Sequence, residues 1–383
     1  MDKPTVQDIF HRFYPAYLDQ YSPSPVQANV AHNIMNCKTG AYGANVCVCE
    51  DCGFVQIHYN SCRNRCCPMC QAVPKEMWMD ARREDVLDAP YFHLVFTVPD
   101  ILNPVIYSNQ RLLYDALYHA ASSTISELTA DPKHLGAKVG YICILHTWGS
   151  EMNFHPHIHT ILLGGGLASN NQWKDNGENF FLPIRVISKM FRGKYLEELK
   201  RLWEEDKLVF HGTAEKFRIH YTFKELLDSC YGMDWIPHCK KTFNGAQTVI
   251  KYLGKYTHRI AVSNHRIVRM DDDTVTFLVK DYRNEGQWKE LTISGVEFVR
   301  RFLMHVPPRR FVRIRHYGLL CSRTKSQKLT LCRNLLGCKK YLSKLRDMEM
   351  PEILEHLYGI KVCVCKACGG HLGKPQMRMP LRC

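Results

Sequence analysis

Hydrophobic and polar positions follow two rhythms along this chain. "QDIFHRFYPAYLDQY" and "PVQANVAHNIMNC" repeat apolar residues every three or four positions, predicting two helices within residues 1–36, split by the turn-like "SPSP". "KEMWMDARREDVLDA" (75–89) reads as an amphipathic helix. "YFHLVFTVP" (91–99) is a β-branched and aromatic run ended by proline, a buried strand. A helical pattern covers 104–130. Two apolar strands follow, "VGYICILHTW" (139–148) and "HPHIHTILLGG" (155–165). The helical period returns near 188–207 and over "GAQTVIKYLGKYTHRIA" (245–261). "DTVTFLVKDYR" and "QWKELTIS" flank "NEG", a hairpin. A helix, "GVEFVRRFLMHV", and the arginine-rich "PPRRFVRIRHYG" come next. No internal repeat or low-complexity linker interrupts the pattern. Strands, then helices, then strands again predict an α+β fold with small cysteine modules at each end. The expected divisions are 1–36, 37–75, 76–270, 271–345 and 346–383.

Composition narrows the class. The 383 residues are 45% hydrophobic, which is ordinary for a globular protein. No apolar run approaches the roughly 18 to 20 residues that span a bilayer. The N-terminal "MDKPTVQDIFHRFYPAYL" is charged where a signal peptide needs its apolar centre, so a cytoplasmic protein is expected, with no membrane partner. In a reducing compartment, 18 cysteines point to metal ligands and buried thiols over disulfides. The net charge of +14 points to a polyanion, most simply nucleic acid. A basic surface kept for solubility is the plainer alternative.

The cysteines are spaced for zinc. "CVCEDCGF" (47–54) and "SCRNRCCPMC" (61–70) supply Cys49-x-x-Cys52 and Cys67-x-x-Cys70, expected to form one four-cysteine ribbon. Cys47, Cys62 and Cys66 are spares able to replace a nominal ligand. Arg63 and Arg65 lie inside the second knuckle, where they suit phosphate contact. Cys365 and Cys368 form a half-site for a second zinc, with Cys363 beside them and His371 or Cys383 as candidates to complete it.

The histidines carry a different chemistry. On a strand His155, His157 and His159 point one way, and Pro156 and Ile158 the other. Imidazoles in register invite a divalent metal. A cupin-type site needs a glutamate soon after them, and "IHTILLGG" has none. The other reading pairs His157 and His159 around Ile158 and takes a third histidine, His146, from the preceding strand. That histidine–hydrophobe–histidine arrangement belongs to enzymes that nick single-stranded DNA, which need a tyrosine nucleophile on a nearby helix.

"YLGKY" meets that need. Tyr252 and Tyr256, four apart, are neighbours on one helix face. Val249, Leu253 and Ile260 form the apolar stripe, with Tyr256 at its edge and Tyr252 well outside it, so a core role competes for Tyr256 and less so for Tyr252. Gly254 between them weakens the helix by about 1 kcal/mol, which implies another demand on that turn. A tyrosine oxygen can attack a phosphate and conserve the bond energy as 5′-phosphotyrosine. No G-x-x-x-x-G-K-[S/T] loop occurs, consistent with chemistry that needs no nucleoside triphosphate.

Together these motifs resemble the two-tyrosine HUH transposases of bacterial rolling-circle insertion sequences, over most of the chain. The matching stretches are "YNSCRNRCCPMCQ" (59–71), "HLVFTVP" (93–99), "LHTWGSEMNFHPHIHTILLGGGL" (145–167), "YLGKYTHRIAVSNHRI" (252–267) and "HVPPRRFVRIRHYGLL" (305–320). The resemblance implies an antiparallel sheet with central metal-binding strands and the tyrosine helix packed nearby, residues 76–270 being the catalytic domain. It implies Tyr252 and Tyr256 as nucleophiles, His157 and His159 as ligands of Mg²⁺ or Mn²⁺, and structural Zn²⁺ in the ribbon. Cys66 stands where the family usually has histidine, Met69 where it often has lysine, and Ser150 where a glutamine is common. The last departure leaves the third metal ligand open, with His146 favoured over His155.

Arg259, one turn beyond Tyr256, is a candidate phosphate clamp, and Arg313 and Arg315 would form a cationic strip if "RFVRIR" is a strand. The implied partner is DNA, as single-stranded or hairpin element ends and as target, and the implied activity is strand transfer through a covalent intermediate. A plasmid replication initiator or conjugative relaxase would use the same chemistry, but the ribbon and "SCRNR" argue against it. A zinc-dependent DNA-binding regulator would have no use for paired tyrosines beside a histidine cluster. A metalloenzyme with a small-molecule substrate leaves the charge of +14 unexplained.

Overall fold

The computed structural model describes residues 3–176, 182–235, 238–243, 249, 254, 261–281 and 284–378. At its centre is an antiparallel sheet of β3 (Tyr91–Thr97), β4 (Lys138–Trp148), β5 (Phe154–Leu167), β6 (Trp173–Asp175), β7 (His238–Phe243) and β11 (Ile314–Gly318). The order is β11-β4-β5-β3-β7, with β6 also on β5. The long inner strands are nearly continuous apolar runs because both faces are covered.

On one face, Phe92, Leu94 and Phe96 of β3, Tyr141, Cys143 and Leu145 of β4, and Ile158 and Leu162 of β5 pack against α5 (Gln110–Ala130) and α6 (Ile184–Glu204). The opposite face presents Tyr91, Ile142, Ile144, Ile161 and Leu163, which pack with Leu87, Val249, and Leu329 and Cys332 of α9 (Lys325–Leu336). The alternation along each strand assigns every side chain to one of these cores. Beneath the second core lies α3 (Ala72–Arg83), which lends Trp78 and Met79.

A separate core joins distant parts of the chain. Thr5 and Ser24 cap the first two helices, α1 (Val6–Leu18) and α2 (Pro25–Met35), each through a capping box. Both helices pack on β8 (Ile267–Met270), β9 (Thr274–Asp281), β10 (Gln287–Ser294) and α8 (Gly295–Met304). The Phe10 and Phe302 rings meet edge to face at 5.2 Å, and Phe277 and Phe298 at 5.6 Å. The expected hairpin is there as β9–β10, but residues 1–36 and 271–306 share a core and do not stand apart.

The cysteines assort differently from the expected ribbon. Cys49 and Cys52 do not meet Cys67 and Cys70. Their sulfurs converge with those of Cys365 and Cys368, while Cys67 and Cys70 converge with Cys37 and Cys62. The reason is strand pairing: β1 (Ala44–Val48) lies between β2 (Val55–Tyr59) and the C-terminal β12 (Gln376–Arg378), which brings the tail's knuckle against the first one. His371, a candidate to complete the tail site, has its ring 3.5 Å from Glu50. The other candidate, Cys383, lies outside the described residues. Cys66, by contrast, is buried beside Arg65 and Arg313, and burial pushes its thiol up to about 11.

If α1 and the β9–β10 unit are one cooperative body, Phe10→Ala will lower its stability by about 3–5 kcal/mol. Hydrogen exchange should then accelerate in β9 as well as in α1. Loss of protection confined to α1 would show two independent units.

Candidate active site

The histidine cluster is a product of strand register. β4 pairs with β5 so that His146 lies opposite His157 and Ile144 opposite His159. The three imidazoles thus sit on the face of Ile142, Ile144 and Ile161, and all three are buried. Their ligand nitrogens lie within 4.8 Å of one another. His157 Nδ1 donates to the carbonyl of His155 at 2.7 Å. In the neutral ring that leaves Nε2 unprotonated, and it points at His159 Nε2 3.1 Å away. His146 stacks on Trp148 at 4.5 Å with 17° between the planes.

His155 parts from the other two. Between His146 and Trp148 the ladder slips: the partners are His157 and Phe154, so three steps of β5 oppose two of β4. Pro156, with no N–H to give, falls inside that slip. The His155 ring binds Asp100 at 3.1 Å. The convergent set is therefore His146, His157 and His159.

His93 on β3 is a residue that sequence reasoning passed over. Its Nε2 is 2.9 Å from His159 Nδ1 and the two rings stack at 5.1 Å. When His159 donates from Nδ1 to His93, its Nε2 is a bare acceptor. When His93 donates instead, His159 carries its proton on Nε2. A polar residue in the apolar run "YFHLVFT" was the only signal for this partner.

Burial keeps His157 and His159 neutral. Burial pushes His157 down to about 4, and burial together with the neighbouring imidazoles holds His159 well below the ordinary range. Neutral, convergent nitrogens on one side of a point suit a divalent cation and leave its remaining positions for oxygen ligands.

The β4–β5 turn that fixes this register is held from outside the sheet. Ser150 Oγ accepts from the Lys280 N–H at 2.5 Å, and its carbonyl from Arg266 at 2.5 Å. Arg301 donates to the Glu151 carbonyl at 2.9 Å and His305 Nε2 to that of Met152 at 2.9 Å. Ser150, the departure that left the third ligand open, anchors the turn to β9.

The expected nucleophiles, Tyr252 and Tyr256, and the expected clamp, Arg259, lie outside the described residues. Two neighbours in their segment do not. Val249 and Gly254 are helical and buried. Val249 packs on the histidine-bearing face, and a Cβ at Gly254 would collide with Sδ of Met79 on α3. Close approach to α3 is the demand that glycine meets.

The arginines divide. Arg63 and Arg65 are both exposed, but Arg65 also donates to the carbonyls of Phe311 at 2.5 Å and Pro308 at 3.2 Å. Arg313 precedes β11 and lies over Trp148, 5.4 Å from the ring centre. Arg315 pairs with Asp115 and stacks over Tyr118 at 4.0 Å, so the two do not form an open cationic strip.

Comparison with known proteins bears on this arrangement. Residues 140–328 match the family described as "Putative transposase", and residues 9–98 match the IS91-type "Transposase zinc-binding domain". A Sinorhizobium fredii protein named "Putative transposase y4qJ" is 40% identical over 95% of this chain and 93% of its own. The chain belongs to the IS91-type transposases. The transposase for insertion sequence element IS801 of Pseudomonas savastanoi pv. phaseolicola is 30% identical, over 79% of this chain and 72% of its own. A solved conjugative relaxase, TrwC with oriT DNA, is similar over 43% of this transposase and 68% of its own chain, at 12% identity and a TM-score of 0.25. The family's zinc-binding domain agrees with the cysteine clusters near the N-terminus. Among the described residues, no helix of the transposase is long and apolar enough to cross a membrane.

Burial also pushes His305 down to about 4. Unfolded histidines protonate near about 6.5, so the stability gained from neutral His157 and His305 is complete above that pH. It is lost as pH falls from about 6.5 toward about 4, at up to about 1.4 kcal/mol per pH unit for each ring. Urea unfolding of zinc-loaded protein without added Mg²⁺ or Mn²⁺ should show this decline, and His305→Gln should flatten it. Stability that stays level across the window would contradict the burial account.

Proposed function

We propose that this transposase cleaves and rejoins single-stranded DNA at the ends of its element through a 5′-phosphotyrosine intermediate. Tyr252 and Tyr256 are the nucleophiles, and His146, His157 and His159 hold Mg²⁺ or Mn²⁺. The observation that carries the reading is the convergence of three buried imidazoles on the sheet face that also packs Val249, in the same segment as both tyrosines.

In cleavage, a tyrosine oxygen attacks the scissile phosphorus, the bond to the 3′ oxygen breaks, and the departing strand leaves as a 3′-hydroxyl that takes up a proton. In rejoining, a 3′-hydroxyl attacks the phosphotyrosine and the tyrosine hydroxyl is restored. Two tyrosines let one 5′ end be held while a second strand is cut. A bound divalent cation supplies polarisation of the phosphoryl oxygens. The chain's own residues would orient the ligands of that cation: the His155 carbonyl fixes the tautomer of His157, and His93, when it accepts from His159 Nδ1, would leave His159 Nε2 free to bind. Exposed Arg63 suits the DNA backbone. Arg65, Arg313 and Arg315 are engaged within the protein, and support for a direct DNA role is weaker for them.

Covalent trapping tests the proposal. Labelled single-stranded DNA from the element's own ends, incubated with Mg²⁺ or Mn²⁺, should form an adduct that survives denaturing electrophoresis. It should persist in Tyr252→Phe and Tyr256→Phe, vanish in the double variant, and vanish in His157→Ala. Tight binding of cognate DNA with no adduct would favour a regulator without catalysis.

Gly254 supplies a second test. Gly254→Ala should lower cleavage by about tenfold or more, because small displacements of a nucleophile are costly in rate. Adding Met79→Ala, which removes the colliding side chain, should restore most of it. Equal loss in both variants would mean that the contact with α3 does not position the segment.

A further inference from the structure

Neither family match reaches residues 363–372, yet this stretch repeats the first knuckle bond for bond. In the first, the Cys49 N–H donates to the Phe54 carbonyl at 2.9 Å and the Gly53 N–H to the Cys49 carbonyl at 3.0 Å. In the tail, Cys365 N–H donates to the Gly370 carbonyl at 2.8 Å and Gly369 N–H to the Cys365 carbonyl at 3.0 Å. The glycine after each Cys-x-x-Cys has positive φ, 71° at Gly53 and 76° at Gly369, a turn that L side chains rarely make. Backbone N–H groups of Ala367 and Gly370 also point at the Cys365 and Cys368 sulfurs, each at 3.4 Å.

The two knuckles face one another. Glu50 N–H donates to the His371 carbonyl at 3.1 Å and Gly373 N–H to the Val48 carbonyl at 2.9 Å. Across the gap, Cys49 and Cys368 sulfurs are 3.5 Å apart, and Cys52 and Cys365 sulfurs 3.8 Å. Those distances exclude disulfides, which need about 2.05 Å. They match the edges of a tetrahedron around zinc, about 3.8 Å for Zn–S bonds of about 2.3 Å. The second quartet has the same signature, with Cys62 and Cys70 sulfurs 3.8 Å apart and Cys37 and Cys67 completing it.

We infer that the chain binds two structural zinc ions, and that one of them, held by Cys49, Cys52, Cys365 and Cys368, staples the C-terminal tail to the N-terminal module. The other, held by Cys37, Cys62, Cys67 and Cys70, fastens that module to α2, whose end Cys37 follows. Cys-x-x-Cys pairs adjacent in sequence therefore serve different metals. The tail zinc makes the last strand, β12, part of a sheet that begins at residue 44.

The test is zinc content of the purified full-length chain after release by a thiol-modifying reagent. Wild type should carry two zinc ions per chain, and Cys365→Ser/Cys368→Ser one. Cys363→Ser, which removes an exposed thiol outside both quartets, should keep two, as should Cys368→His, which preserves a four-ligand set. In wild type, a chelator should expose Lys361 and Lys366 to trypsin. One zinc per wild-type chain would overturn the inference, whether or not the double variant folds. Two in the folded double variant would overturn it equally.

Discussion

The register of β4 against β5 is the constraint on which the rest depends. Side chains alternate along a strand, so a slip of one residue would carry His146 to the face of Tyr141 and Leu145, beneath α5. The same slip would bury Ile142 and Ile144 in the wrong core. Apolar pattern and candidate chemistry are thus specified by one pairing, because His146, His157 and His159 occupy positions in the same alternation as the core residues.

That register is guarded at the turn. The residues between the strands reach into the core shared by α1, α2 and the β9–β10 hairpin, where Met152 is fully buried. Ser150, Glu151 and Met152 are held by Lys280, Arg266, Arg301 and His305, all from one stretch of the chain. A protein with its N-terminal helices and hairpin folded together can therefore fix the geometry of a sheet to which neither belongs. Cys37, at the end of α2, links this body to the cysteine module, and the tail knuckle links the module to the far end of the chain.

Much of this was legible in sequence because it is periodic. The runs at 91–99, 139–148 and 155–165 became β3, β4 and β5, and the patterns over 104–130 and 188–207 became helices, with boundaries moved by a few residues. The three-histidine set was legible too, since same-face spacing is local and His146 lay on the preceding strand. What escaped is what depends on pairing across long separations. Cys49 and Cys365 lie 316 positions apart, and no local spacing announces that they meet. His93 touches His159 only through the β3–β5 ladder. The charge of Arg65 and Arg315 is visible in sequence, while the carbonyls and carboxylate that engage them are not.

The most direct measurement is the binding isotherm of Mn²⁺ for the zinc-loaded protein, compared with single histidine variants. The account predicts one site in wild type, weakened tenfold or more by His146→Ala, a loss of about 1.4 kcal/mol or more, and unchanged by His155→Ala. Weakening by His155→Ala with His146→Ala silent would contradict it, and so would the absence of any Mn²⁺ site in wild type.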